Sequence, residues 1–87
     1  MVKPKIKGIV LDVLKPRTSS LPLFAKFLAE LGSVERVEVT LVEINAKTDS
    51  LKVVLYGSGI DYDILKEHVG RDGAVIHSVD QVNVEKT

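Results

Sequence analysis

Ile6 to Leu14 reads Ile-Lys-Gly-Ile-Val-Leu-Asp-Val-Leu, and Val37 to Ile44 reads Val-Glu-Val-Thr-Leu-Val-Glu-Ile, so both stretches carry apolar residues at odd and even positions. Their β-branched content predicts strands. The first runs from Lys5 to Lys15 and stops at Pro16, which has no N–H to give a ladder. Arg17-Thr18-Ser19-Ser20 is a polar loop, and Ser20 is the candidate N-cap of a helix that tolerates Pro22 in its first turn. Phe24, Phe27, Leu28 and Leu31 then repeat at i, i+3, i+4 and i+7, the stripe of a helix lying on a sheet. Gly32 is expected at its C′ position, with positive φ. Val34 to Ala46 forms a second strand and Leu51 to Tyr56 a third, and the short polar connection between them predicts an antiparallel hairpin. Gly57-Ser58-Gly59 breaks the chain before a second helix, capped by Ser58 or Asp61. Ile60, Ile64, Leu65 and Val69 give that helix its buried side, and Gly70 is expected to end it. Asp72-Gly73 turns into a last strand, Ala74 to Val84.

The resulting order, β-α-β-β-α-β, with right-handed crossovers around a hairpin, predicts a ferredoxin-like α+β fold. It consists of one domain over residues 1–87, a four-stranded antiparallel sheet of order 4-1-3-2, and both helices on one face. Alternation divides each strand between the two faces. Ile9, Leu11 and Val13, with Val37, Val39 and Leu41, are expected under the helices. Ile6, Val10, Asp12 and Leu14, with Thr40, Val42 and Ile44, fall on the other side. Val10, Val42, Ile44 and Val54 or Tyr56 would then make an apolar patch on the open face, larger than monomers usually expose. Either strand twist and the chain's tail cover it, or a second copy does. The second reading is preferred, with self-association through this face or through the long hairpin, and makes these five residues the candidate interface of a homo-oligomer.

Composition narrows the functional classes. Eighty-seven residues supply a core that is only just sufficient. Cysteine is absent, which removes disulfides, thiolate ligands and thiol nucleophiles. Twelve basic residues balance twelve acidic ones, arguing against a broad nucleic-acid or anionic-membrane footprint. The basic start, Met1-Val2-Lys3-Pro4-Lys5, precedes no uninterrupted apolar run, and no stretch has the length of a membrane span, so a soluble, cytoplasmic protein is expected. Common roles of the fold lack their residues. There is no Cys-x-x-Cys loop for a metallochaperone, no aromatic pair on the first and third strands for base stacking, and no glycine-rich phosphate cradle after the first strand.

The candidate chemistry gathers at one corner. In a 4-1-3-2 sheet the end of the first strand lies beside the start of the fourth. That places Asp12 and Lys15 near His77 and Ser78, with Asp80 close by. A carboxylate beside an imidazole can orient a base, bind a metal or, with Lys15, hold an anion; the alternative is a hydrogen-bonded strand pair that only sets register. Asp12, Glu43, Asp49, Asp61, Asp63 and Asp80 raise a divalent cation shared between subunits as a candidate. Asp61-Tyr62-Asp63 is too short for a calcium loop, and no His-Glu-x-x-His pattern is present. His68 falls at the edge of the second helix's stripe, as a solvent-facing or partly buried histidine. Gly57-Ser58-Gly59 reads as a turn rather than an anion cradle, because Asp61 and Asp63 would repel phosphate.

Three blocks, Leu11-Asp12-Val13-Leu14-Lys15-Pro16, Thr40-Leu41-Val42-Glu43-Ile44 and Ile76-His77-Ser78-Val79-Asp80, resemble an archaeal family, domain-of-unknown-function family 211, over nearly the whole chain. The resemblance implies an archaeal, cytoplasmic protein with a ferredoxin-like fold and a ring-like homo-oligomer. It supplies no activity and no catalytic residues. In that family's pattern an acid usually occupies the position of Asn45, a departure that weakens a cation site built on the hairpin.

The leading expectation is a non-enzymatic, self-assembling binding or scaffold module that holds a small ligand or cation at subunit boundaries. The rival is a small metal-dependent or hydrolytic enzyme using Asp12, His77 and Asp80, and nucleic-acid binding ranks third.

Overall fold

The computed structural model describes residues 2–86. The elements, in chain order, are β1 (Pro4–Pro16), α1 (Leu21–Ala29), β2 (Val34–Ile44), β3 (Thr48–Gly57), α2 (Tyr62–Arg71) and β4 (Val75–Lys86). The strands form one antiparallel sheet of order β2-β3-β1-β4 with the two helices on one face, so the ferredoxin-like arrangement is the one observed. Ser20 caps α1 by accepting from Leu23 N, and Pro22 sits in the first turn, where its missing N–H costs nothing. Of the two candidate caps for α2, Asp61 is the one used: its Oδ1 accepts from Asp63 N at 3.0 Å and Ile64 N at 3.2 Å.

The helix ends differ from expectation. α1 stops at Ala29 with Glu30 as C-cap, and α2 continues through Gly70 to Arg71 with Asp72 as C-cap. Neither Gly32 nor Gly70 has positive φ; among the described residues that conformation belongs to Gly59 and Gly73. Gly57 is required for a different reason. A Cβ there would lie 1.9 Å from Ser33 O, the carbonyl that accepts from Ser58 N at 3.0 Å.

The core lies between sheet and helices. Ile9, Leu11 and Val13 of β1 and Leu51, Val53 and Leu55 of β3 meet Phe24 and Leu28 of α1 and Leu65 and Val69 of α2. Each such side chain contributes about 1.5–3 kcal/mol by leaving water. His68, not Ile64, completes the inner side of α2. The imidazole is buried, donates from Nε2 to Phe27 O at 2.6 Å and stacks on the Phe27 ring at 3.9 Å, whereas Ile64 is exposed. That carbonyl lies in the last turn of α1 and also accepts from Glu30 N at 3.2 Å, so the imidazole uses its second lone pair.

Five bulges interrupt the ladders, each adding one unpaired residue to a strand: Lys7 in β1, Glu35 and Val42 in β2, His77 and Asp80 in β4. A bulge reverses the parity of what lies beyond it. Ile6, expected on the open face, therefore packs against the core instead. Ile44, also expected there, pairs with Asp49, which in turn pairs with Lys15, on the helix side of the sheet. Nothing covers it at that end: the strands run 10–13 residues and the helices only 9 and 10. At roughly 3.3 Å per strand residue and 1.5 Å per helical residue, the sheet outruns its helices by about 20 Å or more. The molecule measures 49 × 22 × 18 Å.

Candidate functional site

The face away from the helices is ordered by register into four cross-strand rows. Arg36, Tyr56, Gly8 and Asn83 form the first; Glu38, Val54, Val10 and Gln81 the second; Thr40, Lys52, Asp12 and Ser78 the third; Glu43, Ser50, Leu14 and Val75 the fourth. Down the two central strands this face thus shows Val10 with Val54, then Asp12 with Lys52, then Leu14 with Ser50, while polar side chains dominate both edge strands. The first two rows are tied together. Arg36 Nη2 donates to Glu38 Oε1 at 3.1 Å, Tyr56 OH donates to Glu38 Oε2 at 3.4 Å, and the Arg36 guanidinium lies 5.5 Å from the Tyr56 ring centroid.

A cleft of about 300 Å³ opens in the lower half of this face, lined by Leu11, Asp12, Val42, Glu43, Ser50, Leu51, Lys52 and Asp80. Asp12 is half-buried in it, paired with Lys52 on one side and Ser78 on the other. Ser78 Oγ donates to Asp80 Oδ1 at 2.8 Å, holding that carboxylate in the bulge. Among the described residues neither Asp12, Glu43 nor Asp80 has a basic side chain within 4.0 Å. Three carboxylates face one ammonium, that of Lys52, so the cleft is acidic, with Val42 as an exposed apolar lip.

The structure keeps part of the expected corner together and separates the rest. Asp12, Ser78 and Asp80 are neighbours on or beside the open face. Lys15 is not with them: it pairs with Asp49 on the helix side and is 1 % exposed, its Nζ donating to Pro16 O at 2.8 Å and also to Ser19 O. There it ties the loop before α1 to the end of β1. His77 is an exposed bulge residue and, among the described residues, has no hydrogen bond to Asp12 or Asp80. Bulges re-aim side chains, which is why strand parity could not place His77 or Asp80.

Lys52 and Ser50 went unrecognised by sequence reasoning. The signal that finds them is the hairpin register: once Leu11, Val13, Leu51 and Val53 are set on one face, Lys52 must face Asp12 on the other. Asn45 serves the hairpin itself, its Nδ2 donating to Ser50 Oγ at 3.3 Å and its carbonyl accepting from Arg17, which also pairs with Asp49 at 3.1 Å. No group of three or more His, Asp or Glu among the described residues is placed to hold a metal ion. No helix among them is long and apolar enough to cross a membrane.

Two similarities to known proteins cover nearly the whole chain. The family model described as uncharacterised ArCR, DUF211, matches residues 7–87. The uncharacterised protein MJ0319 of Methanocaldococcus jannaschii is 36 % identical over 77 residues, covering 88 % of this chain and 79 % of its own.

Proposed function

Because the chain belongs to the DUF211 family, whose description carries no activity, we propose its function from its surface: it is a cytoplasmic, self-assembling binding or scaffold module whose open sheet face packs against further copies of itself. One observation carries this reading. The two central strands of the open face present the apolar pair Val10 and Val54 beside the charged pair Asp12 and Lys52, with Leu14 one row further on, and an aromatic side chain, Tyr56, is held by Arg36 and Glu38. Apolar side chains beside hydrogen-bonding and charged ones, with an anchored aromatic, are a mixture that protein interfaces use. Four strands about 4.8 Å apart and rows spanning about 23 Å give the face roughly 450 Å² in projection. Pleat and side chains raise that toward the about 800 Å² of accessible surface per partner in a standard interface. The acidic cleft lies within the same face, so a small ligand would be held where a second copy closes it.

The experiment is native mass spectrometry at micromolar concentration, on the unmodified protein and on Val54→Lys. The unmodified chain should run as a discrete oligomer. Val54→Lys, which places a charge in the centre of the face, should run as a monomer with an unchanged circular dichroism spectrum. A monomeric unmodified chain would defeat the proposal.

A further inference from the structure

The β1–β4 ladder continues to Pro4↔Lys86, whereas β3 pairs with β1 only from Gly8 onward, so the two strands project together beyond the rest of the sheet. This arm is basic. Lys3, Lys5, Lys7 and Lys86 stand on it with one carboxylate, Glu85, and among the described residues none of the four ammonium groups has a carboxylate within 4.0 Å. Lys7 donates to Ser58 Oγ; Lys3, Lys5 and Lys86 are exposed. Val2 and Val84 add exposed apolar surface to the same arm.

The cleft has the opposite character: Asp12, Glu43 and Asp80 against Lys52, with Val42 65 % exposed at its lip. Each patch holds excess charge that its own surroundings leave unpaired, although the chain as a whole is neutral. They cannot meet within one molecule. Lys5 and Asp12 stand on the same strand, seven residues or about 23 Å apart, and a paired strand does not fold back on itself.

We infer that the basic β1–β4 arm of one copy docks into the acidic cleft on the open face of another, its lysines meeting Asp12, Glu43 and Asp80 and its valines meeting Val42. This rests on the self-association proposed above and names the segment that closes the cleft. The two surfaces are different patches, so each copy brings both halves of the contact. The contact is electrostatic at its rim and weakens with salt.

The test reverses each patch separately. Lys3→Glu/Lys5→Glu/Lys86→Glu changes the arm, and Glu43→Lys/Asp80→Lys changes the cleft; all five positions are exposed. Oligomeric mass is read by native mass spectrometry and light scattering, with circular dichroism as the folding control. Each variant alone should lose the oligomer. Mixed one to one, they should regain it as an equimolar assembly, because each arm then meets a cleft of opposite charge. On the unmodified protein, raising salt from 50 to 500 mM should weaken association about tenfold. An unmodified oligomer whose mass survives either reversal, or which salt leaves unchanged, overturns arm docking while leaving self-association standing. Reversed variants that fail to recombine also overturn it. A monomeric unmodified chain overturns both.

Discussion

Lys15→Met is the sharpest test of how the corner of the sheet is built. The lysine side chain is buried, and Met reproduces its length without the ammonium. What is lost is the donor to Pro16 O and Ser19 O. A buried carbonyl left without a partner costs about 1–3 kcal/mol, and two are affected. Removing the ammonium also removes its own burial penalty, which offsets part of that loss. The net expected destabilisation is about 2–4 kcal/mol. For 87 residues the whole folding free energy is only about 4–13 kcal/mol. At about 4–8 °C per kcal/mol for a domain of this size, the midpoint should fall by about 8–32 °C. Thermal and urea denaturation followed by circular dichroism measure this directly. Hydrogen exchange should show the loss first in residues 16–20, the loop that Lys15 holds. A variant within about 0.5 kcal/mol of the parent, or more stable, would refute the reasoning, since surface positions behave that way. The oligomeric mass of the folded variant should not change, because Lys15 points away from the open face.

Gly57→Ala should destabilise by about 2–3 kcal/mol, as its Cβ drives Ser33 O away and strains the Ser58 N–Ser33 O bond; an unchanged urea midpoint would contradict this. Asp61→Ala removes the acceptor for two N–H groups at the start of α2 and should cost about 1 kcal/mol, while Asp61→Asn, which keeps an acceptor, should cost less. His68→Leu keeps the bulk but loses the Nε2 bond to Phe27 O and the stack, with an expected cost of about 1–3 kcal/mol in chemical denaturation. Because His68 lies between the helices, that variant should retain the parent's oligomeric mass.

The order of elements is legible in the chain because β-branched runs, Pro16, Ser20 and the hairpin turn all point the same way. So is the core: Ile9, Leu11 and Val13 alternate faithfully. Lys15 continues that odd-numbered set, so its place on the helix side of the sheet is readable, although its charge argues for the surface. Alternation fails at the bulges. Nothing in Lys7, Val42, His77 or Asp80 announces an unpaired residue, and each displaces the parity of its neighbours; Ile6 and Ile44 change sides for that reason. On α2, Ile64 and His68 are four residues apart on one flank, and hydropathy favours Ile64 for burial. Phe27 O reverses the choice by offering the imidazole an acceptor, a tertiary fact invisible locally. The cleft escaped notice because Lys52 and Ser50 reach Asp12 only through the register of two strands nearly forty residues apart in sequence.

The bulges at His77 and Asp80 have a consequence for solubility. β4 is a twelve-residue edge strand with exposed Val75, Val79, Val82 and Val84, a composition that in a flat strand invites indefinite addition of like edges and growth of fibrils. Two extra residues three positions apart throw its free N–H and C=O groups out of step with any straight partner, and Asp80 places a charge at one of the breaks. Deleting His77 and Asp80 would flatten that edge, and the shortened chain should give thioflavin-binding deposits under conditions where the parent stays clear.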